Sequence, residues 1–200
     1  MTAESVSSRR PNGGRGSRRE EILQIAVRLI ASRGYHGVSM DDIGTAAGVT
    51  GPALYHHFAG KEAMLAAALR PVSERLLAGG RKRTGDGAAD DHPRETLNSL
   101  VEFHVDFALS NPEVIALQLH ELDRLPAEAR REIRRLQRLY VEEWVDVLTR
   151  LRPELGVAEA RVLAHAAFGL MNSTPFHTGQ VQERRRADLL RRSALAALLG

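Results

Sequence analysis

The side chains best equipped for chemistry in this chain are bunched between Gly34 and Lys61, in the run GYHGVSMDDIGTAAGVTGPALYHHFAGK. Thr50, Tyr55 and His56 bring hydrogen-bonding groups and Lys61 a cation, while Gly51, Pro52 and Ala53 are small or compact. Leu54 and Phe58 lie four apart, so on a helix they share the buried side. That turns Thr50, Gly51, Ala53, Tyr55 and His56 outward, with Lys61 just beyond. An outward helix edge with few charges but many donors and acceptors suits the major groove of DNA. Thr50, Gly51, Ala53 and His56 would face base edges there, and Tyr55 and Lys61 would meet phosphate. Met40 and Pro52 flank that edge and complete the candidate DNA-contacting set.

Two helices and a tight turn must hold that edge in place. Ser39 can cap a first helix whose opening turn holds Asp41 and Asp42, where the helix dipole favours negative charge. Ile43, Ala46 and Ala47 fall on one face, and Gly48 is the natural stop because a left-handed residue costs glycine little. Val49 plugs the turn, and Thr50 is placed to cap the second helix, with Pro52 in its first turn. Helix, glycine turn and second helix over residues 39–58 make a helix-turn-helix. The competing reading is an ordinary helical hairpin with Tyr55 and His56 as plain surface residues.

The same stretch resembles the amino-terminal domain of the tetracycline-repressor (TetR) family of transcriptional regulators. The resemblance runs from about Arg18 to Leu69. It includes IAVRLIASRGYHGVSM, the ALYHHF core of the second helix, and Gly60-Lys61-Glu62 opening the next. Two positions depart from the family pattern. Gly44 stands where alanine is usual, which should soften that helix. Gly51 occupies a position that often supplies a base-contacting side chain.

The resemblance implies an all-α chain of about nine helices. A basic arm over residues 1–17 leads to a three-helix DNA-binding domain over 18–62, then a helical effector-binding and dimerisation domain over 63–200. It also implies a ligand-responsive repressor, released from a pseudo-palindromic operator when a small, mostly apolar effector binds.

Composition bounds the rest. The chain has 200 residues and no cysteine, so disulfides, thiolate metal sites and thiol catalysis are excluded. No apolar run approaches the ~20 residues that span a bilayer, so a cytoplasmic home without membrane partners is expected. Arg9, Arg10, Arg15, Arg18 and Arg19 against Glu4 and Glu20 account for the whole formal charge of +3. That arm is too polar to fold alone and could track phosphates beside the reading unit, or serve as a solubilising tail.

Helical periodicity is nearly continuous after Arg18. Helices are expected over about 18–33, from 60 towards 77, and over 93–110, 112–123, 126–151, 157–176 and 183–199, and Pro71 should kink the long one. Residues 79–92, rich in glycine and mixed charge, read as a mobile loop. The arginine-rich side of 126–151 reads as a solvated face paired with Glu128, Glu132, Glu142 and Glu143. The segment over 157–176 is lined with Ala164, Ala166, Ala167 and Gly169, and the last helix is apolar around much of its girth. A helix apolar on several sides must bury them all, so these two are expected to form a two-fold homodimer interface.

Within the second half, Phe103, Phe107, Tyr140, Trp144, Phe168 and Met171 offer apolar wall for an effector pocket. His104, His120, His165 and Asn172 offer polar anchors. Dense core packing would use the same residues. The histidines lack the Glu-x-x-His pairs of a di-iron bundle, so no metal site, cofactor or catalytic residue is expected. Two alternatives stay open: an all-helical dimeric interaction module that does not bind DNA, and a small helical enzyme with a histidine-built site.

Overall fold

A computed structural model describes residues 15–85, 91–176, 179 and 181–200, and the described chain is all-α. Nine α-helices occur among the described residues. They are α1 (Arg15–Arg33), α2 (Met40–Ala47), α3 (Gly51–His57), α4 (Lys61–Thr84), α5 (Pro93–Ser110), α6 (Pro112–His120), α7 (Ala127–Leu151), α8 (Val157–Met171) and α9 (Glu183–Leu199). Single 3-10 turns follow α6 and α8, at Leu122–Arg124 and Thr174–Phe176. Apart from the first turn of α1, the expected basic arm lies outside the described residues.

Sequence chemistry sets the boundaries. Ser39 and Asp42 form a reciprocal capping box: Asp42 N donates to Ser39 Oγ at 3.0 Å and Ser39 N to Asp42 Oδ2 at 2.8 Å. Ser39 Oγ also donates to Asp42 Oδ2 at 2.6 Å, and that bond, with the one from Ser39 N, favours the charged carboxylate and holds the Asp42 carboxyl below its ordinary range. Gly48 ends α2 at φ 63°, in the left-handed region. Asn111 separates α5 from α6, whose first residue, Pro112, needs no donor there. The last turn of α8 stops at Met171 rather than at residue 176, because a helix continued to Pro175 would lose a hydrogen bond and press the ring onto the carbonyl of Met171.

The loop expected over residues 79–92 needs correction. Helix α4 runs on to Thr84, so residues 79–84 are helical, while 86–90 lie outside the described residues. The adjacent glycines are packing residues rather than turn formers. A Cβ on Gly79 would lie 2.1 Å from Cζ of Phe103, and one on Gly80 would lie 2.8 Å from Cε2 of Tyr140. Two aromatic rings from α5 and α7 thus press on bare α4 backbone, and only glycine admits them.

Two apolar cores share the molecule. One gathers Ile22, Ala26, Ile30, Val38, Ile43, Leu54, Phe58, Met64 and Leu65 from α1 to α4, together with Leu117, Leu125 and Ile133 from the second half. The other is built from the far end of α4 and α5 to α9 around Trp144. The head therefore does not hang from a linker. Helix α4 threads both cores, and α6 packs on α1.

Three of the four glutamates named on α7, Glu132, Glu142 and Glu143, work differently from the expectation. Glu132 pairs with Arg70 of α4 at 2.7 Å, Glu143 with Arg81 of α4 at 3.3 Å, and Glu142 with Arg161 of α8 at 2.8 Å. They tie α7 to its neighbours instead of neutralising its own arginines. As surface pairs they contribute only ~0–1 kcal/mol each.

Candidate nucleic-acid interface and body sites

Helix α3 is seated by two side chains and shows the rest to solvent. Leu54 is fully buried and Phe58 nearly so, while Thr50, Pro52, Ala53 and His56 are exposed and Tyr55 is 56% exposed. The seat is rigid because the turn before it is closed twice, by Gly48 N to Thr45 O at 3.1 Å and Val49 N to Gly44 O at 2.9 Å. Gly44 itself is buried, and a Cβ there would sit 3.3 Å from the Val49 carbonyl. The expected softening of α2 is thus offset by the close approach that closes the turn. Thr50 stands at the N-cap of α3 but makes no capping bond, so its hydroxyl is not committed to the backbone. Gly51 is half-buried with open space beyond its Cα, so no crowding requires glycine there. Met40 is half-buried against the head core at the start of α2.

Lys61 is engaged within the fold. Its ammonium donates to the carbonyls of Tyr35 at 2.6 Å and Val38 at 2.5 Å and rests 4.1 Å from the centre of the Tyr35 ring. An ammonium has three donors, so a phosphate contact would use the one these carbonyls leave. Spacing could not reveal this, because the carbonyls belong to the α1–α2 connection. The same blindness hid Arg18, whose Nη2 donates to Ala47 O at 2.6 Å and closes the end of α2, and Arg19, whose guanidinium lies 4.5 Å over the Phe58 ring.

In the body, seven of the ten candidate effector residues gather. His104 is buried, its Nε2 3.0 Å from Asn172 Oδ1 and its Nδ1 3.2 Å from the Tyr140 hydroxyl. With an acceptor on one side, Nε2 carries the proton and Nδ1 accepts from Tyr140. Burial pushes the His104 imidazole down to about 4, against the opposing pull of Asn172, and it pushes the Tyr140 phenol up. Phe168 lies 4.9 Å from both the His104 and Trp144 rings, and Phe107 and buried Met171 complete the wall. Trp144 Nε1 is buried without a hydrogen-bond partner.

Phe103 lies at the edge of this cluster, under the Arg83 guanidinium at 4.0 Å. The remaining two do not join. His120 is the last residue of α6 and is exposed there beside Phe176. His165 is exposed on α8, on the side of Val162 and away from Ala164 and Ala167. Among the described residues no group of three or more His, Asp or Glu side chains is placed to hold a metal ion. No described helix is long and apolar enough to cross a membrane.

A rigidly seated, solvent-facing second helix on a larger helical body is the build of a DNA-binding regulatory protein. A family model for bacterial regulatory proteins of the tetR family matches residues 22–68, and one for a tetracyclin repressor-like C-terminal domain matches residues 90–176. The transcriptional repressor KstR2 of Mycobacterium tuberculosis is 31% identical over 155 residues, 70% of this chain and 72% of its own length. The solved structure of KstR2 from that organism superposes with a TM-score of 0.77, covering 96% of this chain and 98% of that one. KstR2 of Rhodococcus jostii is 32% identical over 136 residues, which span 68% of this chain and 65% of the relative. The structure of AibR in complex with isovaleryl coenzyme A and operator DNA is 25% identical, with a TM-score of 0.73 over 88% of this chain and 97% of that one. The chain belongs to the tetR family of bacterial regulatory proteins. That family consists of DNA-binding regulators, not enzymes.

Proposed function

We propose that the chain is a ligand-responsive repressor. It works as a homodimer whose two α3 helices enter successive major grooves of a pseudo-palindromic operator. The observation that carries this reading is the face of α3: Thr50, Ala53, Tyr55 and His56 stand in solvent while Leu54 and Phe58 clamp the helix from behind. Thr50, Gly51, Ala53 and His56 address base edges. Tyr55 and the remaining ammonium donor of Lys61 address phosphate, with Met40 and Pro52 at the rim.

Dimerisation through α8 and α9 is supported by apolar side chains left in solvent. Val162 is 68% exposed, Leu170 40% and Leu189 42%, and the small Ala166 and Gly169 lie exposed among them. His165 belongs with this face. The chain has no described membrane-crossing helix, and a cytoplasmic location fits a protein whose partner is chromosomal DNA.

The effector is a mostly apolar small molecule, an acyl thioester or ring system. The buried His104–Tyr140–Asn172 relay and unpartnered Trp144 Nε1 would orient it among Phe103, Phe107, Phe168 and Met171. AibR, with isovaleryl coenzyme A and DNA in one structure, and KstR2, a ketosteroid regulator, support that chemistry. Release then follows α4, which carries Gly79 and Gly80 under those rings at one end and Lys61 in the head at the other. A coupling of ~1–3 kcal/mol would lower operator occupancy about 5- to 150-fold.

Selection of bound duplexes from a randomised pool tests this. A two-fold symmetric sequence should emerge, His56→Ala should shift the preferred bases, and affinity should fall steeply with salt. A pool that yields no enriched duplex would end the reading.

A further inference from the structure

Where the head meets the body, α1 and α2 face α6, the Thr174–Phe176 turn and the start of α9 across a groove of about 800 Å³. Its walls mix apolar and polar surface, the apolar part coming from Ile25, Leu29, Ala46, Leu109, Ala116 and Pro175. Two cations, Arg28 from α1 and Arg186 from α9, line it together with one carboxylate, Glu113 of α6. Nε of Arg186 is buried and has no hydrogen-bond partner, and no ion pair reaches either arginine among the described residues. None of the aromatic body cluster lines this groove. A buried guanidinium nitrogen without an acceptor is costly, and a carboxylate is the acceptor whose geometry it fits best.

We propose that this groove is a separate ligand site for a small anionic amphiphile, a carboxylate on an apolar body. The carboxylate lies on Arg186 and Arg28, away from Glu113, and the apolar part lies along Leu29, Ala116 and Leu109. The volume leaves room for a drug-sized molecule lying along an open groove. Because one wall is α1 and α2 and the other is α6 and α9, an occupant contacts the reading head and the body together. It therefore biases how the head is held. This consequence rests on the regulatory reading above, whereas binding itself does not.

The test is titration calorimetry of the full chain, without DNA, using octanoate as the probe and octanol as its uncharged counterpart. Octanoate should bind with octanol at least about ten-fold weaker. Arg186→Gln should weaken octanoate by about ten-fold or more, the usual loss of a charge-assisted pair. Ala116→Phe, which fills the groove, should abolish binding of both. Undiminished octanoate affinity in Arg186→Gln, equal affinity for octanol, or no binding at millimolar octanoate would each overturn the site. In a gel shift with the selected duplex, octanoate should change affinity in the native chain and leave Arg186→Gln unmoved. An unchanged native shift would overturn the coupling while leaving DNA recognition itself standing.

Discussion

Gly80→Ala is the substitution that most sharply separates a packed helix from a loop at this point of the chain. In a helix open to solvent, alanine in place of glycine stabilises by about 1 kcal/mol. In a loop free to rearrange, the effect would be small. In this structure the new methyl would lie 2.8 Å and 2.9 Å from Cε2 and Cδ2 of Tyr140. That ring cannot swing aside cheaply. It stacks on His104 at 5.8 Å, meets Phe168 at 5.6 Å and Trp144 at 6.1 Å, and its hydroxyl is held by His104 at 3.2 Å. Forcing a methyl into a packed core costs about 1–3 kcal/mol, so after the helix gain the net loss should be about 0–2 kcal/mol. For a chain of this size that corresponds to a fall in Tm of up to roughly 8 °C. Thermal denaturation at one fixed protomer concentration measures it, since dimer dissociation would otherwise shift the curve. Gly51→Ala, at the first position of α3 with nothing within 4 Å of its Cβ, is the control and should lie between neutral and about 1 kcal/mol more stable than the native chain. A Gly80→Ala protein more stable than the native one by the full helix gain of about 1 kcal/mol would refute the claim that Tyr140 presses on α4.

Protonation of His104 gives a second expectation. Its folded value of about 4 lies below the ordinary 6.5, so the unfolded chain binds the extra proton first as pH falls. Stability should drop between about pH 6.5 and pH 4, and His104→Gln should flatten that part of the stability–pH profile relative to the native chain. Lys61→Met keeps the stem but removes both carbonyl bonds, and should destabilise the head by about 1–3 kcal/mol in urea while weakening all DNA sites alike. Selective loss at some sequences would instead give Lys61 a base-reading role. Val162→Arg places a charge on the most exposed apolar position of α8 and should yield a monomer in analytical ultracentrifugation, with operator affinity lost alongside.

The two helices of the reading motif and the turn between them were legible from sequence because the contacts that shape them are local. Ser39 with Asp42, Gly48 after Ala47, and Leu54 four residues before Phe58 are all separated by a turn or less, which is the range over which periodicity and capping rules operate. The body helices were legible for the same reason, with prolines punctuating them. The failures share one physical cause. Gly79 and Gly80 read as loop residues because a glycine pair between charges carries no trace of Phe103 and Tyr140, which reach them from other helices. His120 and His165 read as pocket residues because a histidine on a mixed face can turn either way, and only packing decides. Arg28 and Arg186 meet across 158 positions of sequence at one groove, a pairing no local pattern encodes.

The interleaving of the two cores bears on how such a molecule could transmit a signal. If the head were joined to the body by α4 alone, a ligand among the aromatic rings could move the reading helix only by tilting that one rod. Leu117, Leu125 and Ile133 place body side chains inside the head core, and Glu121 Oε1 accepts from Tyr35 N at 3.2 Å in the very connection that Lys61 pins. The α1–α2 connection is thus gripped from both sides, by Glu121 just past the end of α6 and by α4 through Lys61. A shift of either helix must be shared by the other or break one of these bonds. Packed elements of this kind switch between discrete arrangements rather than bending continuously. The groove lined by Arg28 and Arg186 opens beside the same α1–α6 contact. A ligand at either of the two proposed places would therefore act on one mechanical element, the α1–α2 connection behind α3.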